Sequence, residues 1–208
     1  MKKFFMYSLL LFTMVFGASV TVMAQSKALQ KDVKKRVKEL KKEGWSMQGS
    51  TVTMEYAVLK YRTYLEGDEA NRVELVGIAV GSNPKIGREN AVMTGITNYA
   101  ARAKAQVVGK IKSLMSSDAS KASDEEIDKF GAAYESGVNT KMSGLVKQHF
   151  VLVREKDGKK EFNVFMSIDE TEAKKAREEA AKEARREVAL DNLSDEVEKF
   201  IGEPVEEN

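Results

Sequence analysis

Between residues 73 and 114 the chain changes period, and that change decides what kind of fold it can make. Val73, Leu75, Val76, Ile78, Ala79 and Val80 form a nearly continuous, β-branched apolar run that ends at Gly81. A short run of this kind predicts a strand buried on both faces for most of its length. Ser82-Asn83-Pro84 then opens a long helix. Asn83 can cap it, and Pro84 suits the first helical position, where an N–H would be unpaired anyway. Val92, Ile96, Tyr99, Ala103, Val107, Ile111 and Leu114 recur at helical spacing and carry the helix to about Ser116. Ala91, Gly95, Ala100, Ala101, Ala103 and Ala105 keep it slim, so a sheet or another helix can come close.

The remaining elements follow from the same periodicities. Lys27–Glu43 reads as an amphipathic helix with Leu29, Val33, Val37 and Leu40 on one face, closed by Gly44 and followed by Trp45. Val52–Glu66 reads as a second helix whose face is Met54, Ala57, Val58, Tyr61 and Leu65. Ser116–Lys121 is a polar break. Ser123 and Glu126 form a capping box ahead of Ile127, Phe130, Tyr134, Val138 and Met142, with Gly144 as the stop. Residues 145–169 read as a hairpin turned at Asp157-Gly158. Phe162, Val164, Met166 and Ile168 point to a packed face; Asn163, Phe165 and Ser167 point to a more polar one. Thr171–Leu190 is a charged helix with a thin apolar seam (Ala173, Ala176, Ala180, Ala184 and Val188) and the i,i+4 pairs Glu170–Lys174 and Glu178–Lys182. The expected fold is α+β. A β-α-(α)-β-β antiparallel three-stranded sheet packs on a long helix, with additional N- and C-terminal helices.

The ends of the chain add an address. Lys2 and Lys3, the apolar stretch Phe4–Phe16 and Val22-Met23-Ala24 have the layout of a secretory signal peptide cut before Gln25. The expected organisation is therefore signal peptide 1–24, an N-terminal helical pair 25–70, an α+β core 71–169, and a charged C-terminal helix with acidic tail 170–208. Removing 1–24 takes away two lysines and no acid, and leaves 32 basic and 32 acidic side chains. That balance argues against a nucleic-acid partner. It hides a polarity: residues 27–43 hold eight basic and three acidic side chains, residues 191–208 one and seven. The ends are either simply solvated or paired, within one chain or between two. Residues 202–208 are expected to fray. The basic helix 27–43 has two uses open to it, docking on a core or peripheral contact with an anionic membrane.

Reactive constellations are missing from the sequence. There is no cysteine, which removes thiol catalysis, thiolate metal sites and a lipid anchor at the mature N-terminus. His149 is the sole histidine and lies in a strand pattern, where it is expected to be structural or exposed. Gly77, Gly81 and Gly87 lack the spacing of a phosphate loop. Carboxylates lie on polar helix faces among matching lysines. No catalytic, cofactor-binding or metal-ligating residues are expected, and no cofactor.

One segment carries a resemblance. The strand Val76-Gly77-Ile78-Ala79-Val80-Gly81 leads into a long helix with Tyr99-Ala100-Ala101-Arg102-Ala103-Lys104-Ala105 at its centre. The later hairpin carries Asp157-Gly158 and Phe162-Asn163-Val164-Phe165-Met166-Ser167-Ile168. Over about residues 73–169 this resembles the Lpp-twenty-like small lipoprotein family of Gram-negative envelopes. The resemblance implies an antiparallel sheet curled around one long helix and a place in the cell envelope. The family's lipoprotein members carry a lipidation cysteine, whereas Met23-Ala24-Gln25 has none.

The sequence thus leads to an exported, non-enzymatic cell-envelope protein. It would be periplasmic or secreted, with an outer-membrane association open to it. It would act as a protein-interaction or assembly module whose partners are envelope proteins or itself in a weak homo-oligomer. The alternative is a periplasmic small-ligand-binding protein with a pocket between sheet and helices, lined by Tyr99, Tyr134, Phe150 and Phe165.

Overall fold

A computed structural model describes residues 27–115, 123–188, 198 and 200–205. The expected signal peptide 1–24, the expected polar break 116–121 and most of the expected acidic tail 191–208 lie outside the described residues. The chain divides into two compact units between Tyr64 and Leu65.

The N-terminal unit holds helix α1 (residues 27–42), a two-residue strand β1 (Ser46–Met47) and most of helix α2 (Met54–Glu66). Val33, Val37 and Leu40 of α1 are buried and Leu29 is half-buried. Gly44, at φ +85°, ends the helix. The Trp45 amide donates to the Leu40 carbonyl at 3.0 Å and the Gly44 amide to Lys41 at 3.2 Å. These two bonds satisfy carbonyls that the helix end would leave open. Thr53 caps α2 by accepting from the Tyr56 amide at 3.2 Å. The expected face of α2 is buried throughout.

The C-terminal unit is an antiparallel sheet with helices. In order come strand β2 (Arg72–Gly81), helices α3 (Pro84–Met115) and α4 (Asp124–Met142), strands β3 (Lys147–Lys156) and β4 (Lys159–Asp169), and helix α5 (Glu170–Val188). β4 is central: it pairs with β2 from Arg72↔Asp169 to Gly81↔Lys160, and with β3 from Lys147↔Ser167 to Lys156↔Lys159. Asp157 (φ 53°) and Gly158 (φ 73°) both take the left-handed conformation that a two-residue hairpin turn requires. Asn83 caps α3 through its side-chain oxygen, which accepts from the Lys85 amide at 2.9 Å and the Ile86 amide at 3.3 Å. Ser123 and Glu126 form the capping box of α4.

α3 runs along β2 with almost no space between them. A Cβ at Gly77 would stand 1.8 Å from the Ala91 carbonyl oxygen and 2.7 Å from the Gly95 amide nitrogen. One at Gly87 would stand 2.3 Å from the Phe162 ring. Glycine at 77 is what lets helix and strand backbones touch, and glycine at 87 makes room for the Phe162 ring of β4. The core gathers Leu75, Ile96, Tyr99, Val107 and Ile111 with the faces of α4 and β4.

Five expectations need correction. The class is α+β, but four strands are present among the described residues rather than three. The extra one, β1, is two residues long, too short to leave a period-2 signature. β2 is not buried on both faces: Leu75 and Gly77 are buried, whereas Val76, Ile78 and Val80 are 36, 46 and 47% exposed. The apolar run therefore marks an uncovered face, not a second covered one. The face of β4 expected to be polar is withdrawn from solvent too, with Asn163 and Ser167 buried and Phe165 stacked on Phe150 at 4.4 Å. Glu170 does not pair with Lys174; it turns inward to Arg177. Residues 202–205 do not fray: Val205 is buried and the Pro204 carbonyl accepts from the Gln106 side chain at 3.0 Å.

Candidate functional site

The largest fully buried polar side chain is Arg177, 1% exposed, on the alanine face of α5. Ala173, Ala176, Ala180, Ala181 and Ala184 surround it in sequence and are buried, because α5 packs on α4 in the same chain. The slim seam leaves room for one long side chain to cross the interface. The guanidinium donates from Nη2 to Glu170 Oε1 at 2.6 Å and from Nη1 to Glu170 Oε2 at 3.4 Å. Nη1 also donates to the Tyr99 hydroxyl. Nε donates to the Ile201 carbonyl at 3.2 Å, and Nη2 to the Glu203 carbonyl at 3.1 Å. A guanidinium has five N–H donors, so these contacts occupy it completely. Burial works against its charge, but the hydrogen bond and charge of Glu170 together with the neighbouring Tyr99 and Tyr134 oxygens raise the pKa. Arg177 therefore fastens the C-terminal segment to α3 and α5 and has no donor left for a substrate anion.

Two tyrosines face this cluster. Burial pushes the Tyr99 hydroxyl up to about 12, against the opposing pull of Arg177. Burial raises Tyr134 as well, and its hydroxyl has no hydrogen-bond partner. Tyr99 and Tyr134 thus come together in the core. Phe150 and Phe165 stack on the other side of the sheet from Phe162 and Met166, which meet α3. The four aromatics do not converge on one space. His149 sits at the register shift between Gln148 and Phe150, its Nε2 2.7 Å from the Ser167 hydroxyl. On the same face Glu161 is held by Arg154 at 2.5 Å and Lys156 at 3.6 Å. Among the described residues no cluster of three or more His, Asp or Glu side chains is placed to hold a metal ion.

A cavity of about 590 Å³ opens beside α5, lined in part by Ala181, Lys182, Arg185, Arg186, Glu198 and Ile201. Arg185 Nη1 donates to Glu198 at 3.1 Å, while its Nε and Nη2 are buried without a partner.

The other feature is a surface. β2 pairs with β4 along one edge, and its outer edge pairs with no strand among the described residues. Val76, Ile78 and Val80 line the exposed side of this edge. Three devices that guard a free edge are absent over residues 75–81: they hold no charged side chain and no proline, and the β2–β4 register runs without a bulge. The sequence signal for this surface is the apolar run itself, which reads equally well as burial. The signal for Arg177 is a lone cation inside an alanine seam.

No helix among the described residues is long and apolar enough to cross a membrane. No family model, no curated protein and no solved structure matches this chain.

Proposed function

We propose that this chain is an exported, non-enzymatic cell-envelope protein that acts as a protein-interaction module through the outer edge of β2. The observation that carries this reading is the unguarded apolar edge at Val76, Ile78 and Val80. An exposed strand edge offers a row of unpaired backbone donors and acceptors to another chain. The export address rests on the signal-like residues 1–24, and the envelope setting on that address and on the resemblance to the Lpp-twenty-like lipoproteins. Cross-linking in the intact native envelope tests the reading. Adducts seen with the native chain should be lost in Ile78→Lys/Val80→Lys and kept in the surface control Lys175→Glu. An adduct pattern identical in all three would overturn it. The intact mass of the exported product should correspond to a chain starting at Gln25 without an acyl group.

A further inference from the structure

We propose that the partner taken by the β2 edge is a single extended, uncharged segment of another protein. It would carry β-branched or aliphatic residues at every second position and small residues between, and would add to the sheet as a further strand. This rests on the reading of β2 as the interaction surface and names what occupies it.

Charge sets the first condition. From Leu75 to Gly81 the strand bears no ionisable side chain, so a charged partner strand would find no counter-charge. The exposed stripe Val76–Ile78–Val80 has period 2, and a strand laid beside it in register continues that stripe with its own alternate residues.

α3 sets the second condition. It lies directly over β2, at Gly77 against Ala91 and Gly95, and again at Gly81, where a Cβ would stand 3.1 Å from the Gly87 Cα. Adjacent strands are about 4.8 Å apart, whereas packed helix axes need about 8–10 Å. A second copy of this chain joined edge to edge, with both α3 helices on the same face, would drive those helices into each other. A second copy turned over would set Val76, Ile78 and Val80 against Gly77, Ala79 and Gly81. The two apolar stripes would then lie on opposite faces of the joined sheet, both uncovered. A lone strand has no helix to place. Its residues on the α3 side must be small, because they tuck against the flank of that helix, and those on the other side large.

The test uses the full mature chain and a fluorescent peptide of about ten residues, alternating valine and serine, with a lysine at each end for solubility. The peptide should bind and raise the fluorescence anisotropy. Ile78→Lys and Val80→Lys should each weaken binding by about tenfold or more, since a lysine interrupts the shared stripe. The same peptide with two central prolines, which cannot donate to the ladder, should not bind. Equal binding of the proline peptide, or of the lysine variants, would overturn the proposal. So would a dimer of the chain alone, seen in sedimentation and abolished by Ile78→Lys, because the occupant would then be a second copy. If the peptide fails while cross-links in the envelope still depend on Ile78 and Val80, the occupant named here is wrong and the edge remains the interaction surface.

Discussion

Arg177 and Glu170 stand two turns apart on α5 and meet in a forked pair inside the protein, with 2.6 Å between Nη2 and Oε1. Their separation of seven residues puts both on the face that packs inward. Removing the carboxylate would leave a buried cation facing only neutral acceptors. Glu170→Ala is expected to destabilise the domain by about 3–5 kcal/mol, a large share of a typical ~5–15 kcal/mol stability. Replacing both partners, as in Glu170→Leu/Arg177→Met, should cost less than the single change, because no unpaired charge remains. Urea unfolding of the three proteins decides it; a double variant less stable than Glu170→Ala would refute this account.

The two core tyrosines should respond in opposite directions to loss of the hydroxyl. Tyr99 accepts from Arg177, so Tyr99→Phe removes an acceptor from a buried charge and should destabilise by about 1–3 kcal/mol. The Tyr134 hydroxyl is buried without a partner, so Tyr134→Phe should be neutral or stabilising. Thermal melts of the two variants would show the contrast.

Alkaline pH should weaken the fold through the same residues. Tyr99 holds its proton up to about 12 in the folded chain, against about 10 when unfolded. Between these values the unfolded state binds fewer protons, so stability falls as pH rises. The contribution is complete below pH 10 and is lost through pH 12, amounting to about 3 kcal/mol at most. Tyr134, raised by burial as well, adds to the same slope. Unfolding free energies measured from about pH 9 to about pH 12 should decline, and the decline should be shallower in Tyr99→Phe. A flat profile in the native chain would show that these hydroxyls titrate normally.

Much of this fold can be read in the sequence wherever one local rule decides the outcome. Asn83-Pro84, the Ser123–Glu126 box and Asp157-Gly158 each act within a few residues, and each start or turn stands where its chemistry puts it. The failures come where a face has to be assigned to a neighbour. β-branched residues suit a strand whether or not anything covers them, so Val76, Ile78 and Val80 give no sign of being exposed. Glu170 and Lys174 are well spaced for a surface pair, but Arg177 offers Glu170 a buried fork, and tertiary contact overrides the local one. An alanine seam alone is thin for holding a helix. It suffices because α4 presents Gly137, where a Cβ would stand 2.9 Å from that of Ala180, so the helices close to backbone distance. The interaction surface is therefore present in the sequence as composition but not as position.

Val107 tests the register of α3. It is 2% exposed among apolar side chains, and Val107→Asp would bury a carboxylate without a partner, which costs several kcal/mol. Lys110, three residues on, is partly exposed, pairs with Glu203 and lies over the Phe200 ring at 5.7 Å. Lys110→Ala should cost only about 1 kcal/mol. Its effect should be local, loosening residues 200–205, and visible as faster amide exchange there. Equal melting temperatures for the two variants would refute the helix register.

The contact between α3 and β2 makes the sharpest contrast, because the same substitution at two glycines should change stability in opposite directions. Gly109 lies exposed inside α3, and a Cβ placed there would meet nothing within 4 Å. Alanine at this position removes backbone freedom from the unfolded chain and should stabilise by about 0.5–1 kcal/mol. At Gly77 the new methyl would meet the Ala91 carbonyl oxygen and the Gly95 amide, both backbone atoms of a helix that cannot move away one residue at a time. The whole of α3 must lift from β2, opening the core at Met166 and Phe162. Gly77→Ala should therefore cost about 3 kcal/mol or more, at the upper end of overpacking. Gly95→Ala should cost less, since its nearest obstacle is the flexible Met166 Cε at 2.5 Å. The expected order of thermal stability is Gly109→Ala, native, Gly95→Ala, Gly77→Ala. Finding Gly77→Ala at native stability would mean that α3 does not lie against the β2 backbone, and the steric argument for a lone partner strand would fall with it.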